Sequence, residues 1–354
     1  MYRLAVLPGD GIGQEVTAQA LKVLDAVKTK YDIEYTSQTG LIGGSAIDET
    51  GDPFPQETQE LVAQSDAVLL GAVGGLQWDG PDRKVRPEQG LLGIRKFLRI
   101  YANLRPVKCW PQLIEQSPLK KERIAGADLL IVRELTGGAY FGARGTKVVD
   151  GVNKSYDTIE YSAEEIRRIV KVAFELAGQR RRKVTSVDKA NILDTSRLWR
   201  RVVEEEAAQY PEIALSHLYV DNCAMQLCLN PAQFDVLVTE NTFGDILSDQ
   251  ASVLGGSLGM LPSASIGEGS ALYEPAHGSA PDIAGQDKAN PLAAILSVAM
   301  MLRISFKNSA AAKAVEKAVD TVLMQGLRTA DICTTGCTCV GTNTIADAVI
   351  KALG

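Results

Sequence analysis

The sequence predicts an α/β protein with a largely parallel sheet. Short apolar stretches alternate with amphipathic ones from end to end. Glycine-rich turns follow several of the apolar stretches, as at Gly9-Asp-Gly-Ile-Gly13 and Gly71-Ala-Val-Gly-Gly75. No repeat or low-complexity linker interrupts the alternation.

The elements follow in order. Residues 4–7 read as a strand and 14–28 as a helix with an apolar stripe. Residues 67–70 form another short strand, and 91–101 a helix carrying Arg95 and Arg99. Residues 129–133 are a buried strand leading into Glu134-Leu-Thr-Gly-Gly-Ala-Tyr140. Residues 163–177 read as a helix, 184–188 as a strand and 196–209 as a helix. A strand at 236–238 precedes an acidic helix, and helices at 289–303 and 310–324 close the chain. Residues 145–161 are polar and Thr/Val-rich without a helical period, which predicts an exposed hairpin or arm.

With 354 residues, 45% of them hydrophobic, the chain can bury one large or two medium cores. Lys plus Arg number 37 against 43 acids, a net charge of −6, which argues against a nucleic-acid surface or a polybasic membrane patch. The first residues read as a strand entering a turn rather than a targeting segment, so a soluble, cytoplasmic protein is expected. The longest apolar run, near residues 293–302, is too short to span a bilayer and reads as a buried helix. Six cysteines are too few for a secreted disulfide framework. Cys333, Cys337 and Cys339 lack a fourth ligand for zinc and read as ordinary thiols, with a redox-sensitive pair as the minor alternative.

Asp245 and Asp249 lie four residues apart in Thr239-Glu-Asn-Thr-Phe-Gly-Asp-Ile-Leu-Ser-Asp249. On a helix that spacing sets both carboxylates on one face, a turn apart, where like charges repel. A hard divalent cation relieves the repulsion. Mg²⁺ or Mn²⁺ takes oxygen ligands and keeps positions open for water and substrate. Two solvated surface acids are the ordinary alternative; the apolar flanks favour a cation. Asp221, in Tyr219-Val-Asp-Asn222, is the third acid of interest.

Four arginines, Arg95, Arg99, Arg105 and Arg133, point to a substrate with more than one carboxylate, because a guanidinium matches a carboxylate bidentately. Surface salt bridges are the competing reading. It is weakest for Arg133, at the end of an apolar strand. Lys189 and Asn191 sit where another apolar strand ends, the usual place for active sites in open α/β sheets. A lysine there, close to a divalent cation, would have its pKa lowered toward that of a working base. Tyr140 follows Gly137-Gly138, a turn that can present the phenol inward. Taken singly, each of these residues is more often structural.

Two glycine-rich segments invite a nucleotide. Gly9-Asp-Gly-Ile-Gly13 follows the first strand, but G-x-G-x-x-G fails at Gln14, and a tight strand-to-helix turn explains it equally well. The segment Leu272-Tyr-Glu-Pro-Ala-His-Gly-Ser-Ala-Pro-Asp-Ile-Ala-Gly285 offers backbone N–H groups to phosphates. Asp282 could accept from an adenosine ribose and repel a 2′-phosphate. A structured surface loop is the alternative.

At these residues the chain resembles the isocitrate/isopropylmalate dehydrogenase family, the metal-dependent β-decarboxylating dehydrogenases. The motifs are Gly9-Asp-Gly-Ile-Gly13, Leu91-Leu-Gly-Ile-Arg95, Asn103-Leu-Arg-Pro106, Arg133-Glu-Leu-Thr-Gly-Gly-Ala-Tyr-Phe-Gly142, Asp188-Lys-Ala-Asn191, Asn241-Thr-Phe-Gly-Asp-Ile-Leu-Ser-Asp249 and His277-Gly-Ser-Ala-Pro-Asp282. They span nearly the whole chain in the family's order.

The resemblance implies two α/β domains with a shared central-sheet architecture, not a Rossmann fold. Residues 1–100 and 256–354 would form a discontinuous NAD-binding domain. Residues 101–255 would hold substrate, metal and dimer contacts, with an arm near 145–161. Arg95, Arg105 and Arg133 would bind substrate carboxylates, Arg99 supporting them. Asp221, Asp245 and Asp249 would hold one Mg²⁺ or Mn²⁺ per subunit. Lys189 and Asp221 would reach the other subunit's active site, implying an obligate homodimer. NAD would lie along Glu274, His277, Gly278, Ser279, Ala280, Asp282, Ile283 and Asn290, with Gly74 and Gly75. Asp282-Ile283, in place of the Lys-Tyr of NADP enzymes, points to NAD.

By the same resemblance Lys189, assisted by Asp221, takes the hydroxyl proton and Tyr140 protonates the enol carbon. Leu91 and Leu92, with Ile192 opposite, would form an apolar wall for an isopropyl group, with Glu88 where isocitrate enzymes place a serine and Asn191 nearby. The implied reaction is oxidative decarboxylation of 3-isopropylmalate to 4-methyl-2-oxopentanoate, a step of leucine biosynthesis. Sister activities on other 3-alkylmalates, D-malate, tartrate or isocitrate are the nearest rivals. A catalytically dead regulatory subunit would be expected to lack Tyr140, Lys189 or the aspartates, and a phosphotransferase would need a Walker-type motif. Cys223, where the family usually has alanine, and the Cys333–Cys339 stretch depart from the pattern.

Overall fold

The computed structural model describes residues 1–78, 80 and 85–354. Twelve principal strands follow in chain order: β1 (Tyr2–Gly9), β2 (Tyr35–Thr39), β3 (Ala67–Ala72), β4 (Ile100–Lys108), β5 (Asp128–Glu134), β6 (Arg144–Val149), β7 (Val152–Asp157), β8 (Lys183–Asp188), β9 (Ala214–Tyr219), β10 (Val236–Thr239), β11 (Pro262–Gly267) and β12 (Ala271–Pro275). The chain divides into two compact units. The first comprises Met1–Ile100, Trp110–Pro118 and Gly255–Gly354; the second comprises Tyr101–Cys109 and Leu119–Leu254.

The first unit orders its strands β2-β1-β3-β12-β11, parallel except for the antiparallel β11/β12 pair. Every residue of β3 is buried, as the continuous run Ala-Val-Leu-Leu-Gly-Ala requires of a strand covered on both faces. The helix Leu292–Ile304 is buried from Leu292 through Leu302 and packs on β11, β12 and the helices Gly13–Lys30 and Ser309–Met324. Each of its large apolar side chains contributes about 1.5–3 kcal/mol by leaving water. Among the described residues no helix is long and apolar enough to cross a membrane.

The second unit orders its strands β4-β5-β10-β8-β9, parallel except for β4/β5. Arg133 pairs in register with Thr239, and Thr239 with Val187. Three adjacent strands therefore end in line, and Glu134, Glu240 and Asp188 emerge together at their carboxyl edge. That edge is where an open α/β sheet assembles a site.

The arm is a hairpin of β6 and β7, with Val149 opposite Val152 and Asp150-Gly151 at its tip. Both tip residues have positive φ, 53° and 75°, as a two-residue turn of the right hand demands.

Two expectations are corrected. The helix read at 91–101 runs instead over Pro87–Phe97. Backbone N–H groups of Glu268 and Gly269 take the carbonyls of Arg99 and Leu98, and Arg99 turns to φ +51° before β4 begins. Arg99 therefore leaves the helical face of Arg95 and pairs with Glu268 at 3.3 Å on the open surface, so a supporting role beside Arg95 is withdrawn. The helix read at 289–303 starts at Leu292, after Pro291, and the Leu292 N–H donates to Asn290 Oδ1 at 3.0 Å.

Candidate active site

The second unit gathers Arg105, Arg133, Tyr140, Asp245 and Asp249. The helix Asn241–Ser252 starts where β10 ends, and Glu240 caps it, accepting from Phe243 N at 2.6 Å and Thr242 N at 3.1 Å. Arg133, from β5, is 2% exposed. Its Nη1 pairs with Asp245 Oδ1, and its Nε and Nη2 donate to Asn241 Oδ1 at 3.0 and 2.7 Å. Arg105, on β4, donates from Nε to Asn103 Oδ1 (2.9 Å), and from Nη1 to Ser248 Oγ (2.6 Å) and Asp249 Oδ1 (3.0 Å). Tyr140, in the short turn Gly138–Tyr140, donates its phenolic proton to Asp245 Oδ2 at 2.9 Å.

Gly244 lets the helix lie against Arg133. A Cβ there would stand 2.6 Å from Arg133 Cγ and 2.8 Å from its Cβ. Burial pushes the Asp249 carboxyl above its ordinary value; Arg105 pulls it back and Asp245 adds to the rise. Burial, then Asp245, also raises the Tyr140 phenol, so it holds its proton as an acid must. Two guanidiniums balance two carboxylates here. The group can therefore take a cation and a dianion together, the cation on Asp oxygens and the dianion on Arg nitrogens.

Lys189 and Asp221 form a separate pair. Lys189 follows β8 and Asp221 lies in the first turn of the helix Val220–Leu229. Their Nζ–Oδ1 distance is 2.7 Å, and that hydrogen bond holds the Asp221 carboxyl below its ordinary value. Asn191 and Ile192, in the next loop, are exposed. Among the described residues of one chain no three His, Cys, Asp or Glu side chains gather as metal ligands.

The first unit holds the remaining predicted residues. Arg95 is buried, bonds Glu274 Oε1 through Nη2 at 3.2 Å, and keeps a buried Nε without a hydrogen-bond partner. Leu91 and Leu92 are half-buried and Glu88 is exposed on the same helix. A cavity of about 390 Å³ is lined by Gly11, Gly74, Gly75, Leu76, Gln77, Trp78, Pro281 and Asp282. Gly11 and Ser279 make its corner: a Cβ on Gly11 would lie 2.1 Å from the Ser279 carbonyl oxygen, and Ile12 N donates to that oxygen at 2.8 Å. His277 Nε2 is buried without a partner, and burial lowers the imidazole pKa. Gly278 and Asp282 are exposed, Ile283 is half-buried, and Ala280 takes φ +36°. Asn290 Nδ2 donates to Asp331 at 3.0 Å.

The sequence profile of the isocitrate/isopropylmalate dehydrogenase family matches residues 3–349. The chain belongs to that family. It is an oxidoreductase of the family type, 60% identical over 99% of its length to the 3-isopropylmalate dehydrogenase of Geobacillus kaustophilus, covering 95% of that protein. The Aquifex aeolicus protein of the same name is 56% identical, over 99% of this chain and 97% of that one. Among solved structures, isocitrate dehydrogenase from Methylococcus capsulatus superposes with a TM-score of 0.89 at 34% identity, covering 100% of this chain and 99% of the other. The β-decarboxylating dehydrogenase of Thermococcus kodakarensis gives 0.80 at 36% identity, with coverages of 100% and 96%.

Several residues of this family member carry structural duties that motif reading left unassigned. Asp10, 3% exposed, accepts from Gly44 N and Gly74 N at 2.8 Å and from Ser45 N at 2.7 Å, fixing the first turn of the helix Gly44–Thr50 and the Gly74 loop beside the cavity. Glu134 receives Thr136 N at 3.0 Å and Gly137 N at 2.7 Å, holding the turn that ends in Tyr140. A signal was available: both are acids inside otherwise apolar or glycine-rich stretches, where an unpaired carboxylate would be costly. Asn241 gave none beyond its place next to the aspartates.

Proposed function

We propose that this chain catalyses the NAD-dependent oxidative decarboxylation of 3-isopropylmalate to 4-methyl-2-oxopentanoate and CO₂, as a cytoplasmic homodimer using Mg²⁺ or Mn²⁺. The observation that carries the reading is the Arg105–Arg133–Asp245–Asp249–Tyr140 cluster, which supplies diacid recognition, cation oxygens and a proton donor in one place. The donor set fits a hard cation: Asp249 already bears the cost of burial and of a like-charged neighbour, and a cation relieves both. Asp245 and Asp249 would hold it together with Asp221 from a second copy of the chain. The cavity at Gly11, Gly74, Gly75 and Asp282 would receive part of a dinucleotide, with Glu274, His277, Ser279 and Asn290 on neighbouring segments of the same chain.

The first unit's cavity would hold NAD, which would supply the hydride acceptor, and Asp245 and Asp249 would hold a cation, which would supply Lewis-acid polarisation of the new carbonyl. Arg105 and Arg133 would bind and orient the substrate carboxylates within the second unit, and Arg95 is a further carboxylate-binding arginine by the family's pattern. Lys189, oriented by Asp221, takes the proton from the substrate hydroxyl oxygen. Tyr140 delivers its phenolic proton to the enol carbon after CO₂ leaves, and Asp245, bonded to the phenol, keeps it aimed. The half-buried Leu91 and Leu92 supply an apolar contact for the isopropyl group, worth about 10- to 200-fold per methylene-scale difference.

NADH formation measured with 3-isopropylmalate, isocitrate, D-malate and tartrate, with and without EDTA, tests this. Preference for 3-isopropylmalate and loss of rate in EDTA are expected. A clear preference for isocitrate, or metal-free turnover at full rate, would overturn it.

A further inference from the structure

Asn241 is 1% exposed, stands one helical turn before Asp245, and makes four hydrogen bonds to three separate elements. Its Oδ1 accepts from Arg133 Nε at 3.0 Å and Nη2 at 2.7 Å. Its Nδ2 donates to the Gly137 carbonyl at 3.0 Å. Its backbone N–H donates to the Tyr161 hydroxyl at 3.0 Å, and that hydroxyl lies 3.3 Å from Glu240 Oε2. The orientation of the carboxamide follows from its partners. A flipped amide would turn its NH₂ toward a guanidinium and its oxygen toward a carbonyl.

We propose that Asn241 is a positioning residue: its carboxamide ties the Arg133 guanidinium to the Gly137 carbonyl and so holds the carboxylate-binding arginine and the Tyr140 turn in one register. Gly137 immediately precedes the Gly138–Tyr140 turn, and Gly138 takes φ +71°, so a shift at the Gly137 carbonyl is carried directly to the phenol. Asp245 closes the circuit, accepting from both Arg133 and Tyr140. Among small side chains only a carboxamide supplies an acceptor for the arginine and a donor for the carbonyl at this reach. Aspartate keeps the first and loses the second; alanine loses both. The inference rests on the functional reading above, because Arg133 and Tyr140 have their roles only in that reaction.

Asn241→Ala and Asn241→Asp are compared with wild type in the full chain with Mg²⁺ and NAD. Asn241→Ala is expected to raise the 3-isopropylmalate KM and lower kcat, each by about tenfold or more, since it releases two charge-assisted bonds and one neutral one. The NAD KM should stay within about twofold, because the carboxamide's described hydrogen-bond partners, Arg133 and Gly137, belong to the second unit. Asn241→Asp retains the arginine partner but should show the kcat loss. In an Arg133→Lys background the KM effect of Asn241→Ala should largely vanish, the signature of two residues acting as one. Wild-type kcat in Asn241→Asp, additive effects in the double variant, or activity that falls only in step with the folded fraction would overturn the assignment. If Asn241→Ala does not fold, Asn241→Asp alone decides. Absence of turnover in the wild-type chain would instead count against the functional reading itself.

Discussion

Replacing Gly244 by alanine adds one methyl group to the interior of a helix, and intrinsic propensity favours the change by about 0.5–1 kcal/mol. The neighbourhood opposes it. The new Cβ would lie 2.6 Å from Arg133 Cγ and 2.8 Å from its Cβ, atoms too close to the β5 backbone to swing aside. An ordinary carbon–carbon contact is about 3.5–4.0 Å, so helix and arginine must part by about 1 Å. Overpacking of that kind costs about 1–3 kcal/mol, which offsets or exceeds the propensity gain and leaves a net loss of about 0–2.5 kcal/mol. The functional loss should be larger than the stability loss, because a displacement of about 1 Å at the arginine proposed to hold substrate would cost about 10²-fold. We expect a thermal midpoint lowered by a few degrees and kcat/KM for 3-isopropylmalate reduced 10- to 100-fold, about 1.4–2.7 kcal/mol. Steady-state kinetics and thermal denaturation measure both. A more stable Gly244→Ala protein with unchanged KM for the diacid would refute the reasoning.

Tyr140→Phe should lower kcat by about 10²- to 10⁴-fold, the usual worth of a general acid, while NAD binding measured by fluorescence stays within about twofold; a wild-type rate would remove the proton-donor role. Lys189→Ala should abolish turnover similarly and free Asp221, whose carboxyl then titrates nearer its ordinary value, a shift readable by NMR. Thiol titration should separate the cysteines. Burial pushes the Cys223 thiol up to about 12, whereas the Thr334 hydroxyl holds the half-exposed Cys337 below its ordinary value. A lowered pKa leaves more thiolate at a given pH, so Cys337 should label first with a disulfide reagent near neutral pH and Cys223 only after unfolding. Rapid native labelling of Cys223 would contradict its burial.

Periodicity located the long elements because their apolar stripes were continuous; β3 and the helix Leu292–Ile304 are buried along their length as such runs require. It failed where tertiary contacts decided. The end of the Pro87–Phe97 helix depends on hydrogen bonds to Glu268 and Gly269, which no local window contains. The helix Val220–Leu229, which places Asp221 in its first turn, carries a weaker stripe that does not mark it out as a helix. In the site, the aspartate spacing and the burial of Arg133 were legible because each is a property of one element. The pairing of Tyr140 with Asp245, 105 residues away, and the bridging duty of Asn241 were not, since both arise only when β5, the turn after it and the helix after β10 are brought to the same edge.

The carboxylate of Asp10 binds three amides drawn from a helix N-terminus and a loop that are far apart in the chain. Gly44, Ser45 and Gly74 therefore share one latch, and their protons should exchange with solvent as a correlated set rather than at rates set separately by helix and loop. Deuterium uptake at those three positions gives a direct clock for breathing of the wall beside the cavity, and dinucleotide binding should slow all three together.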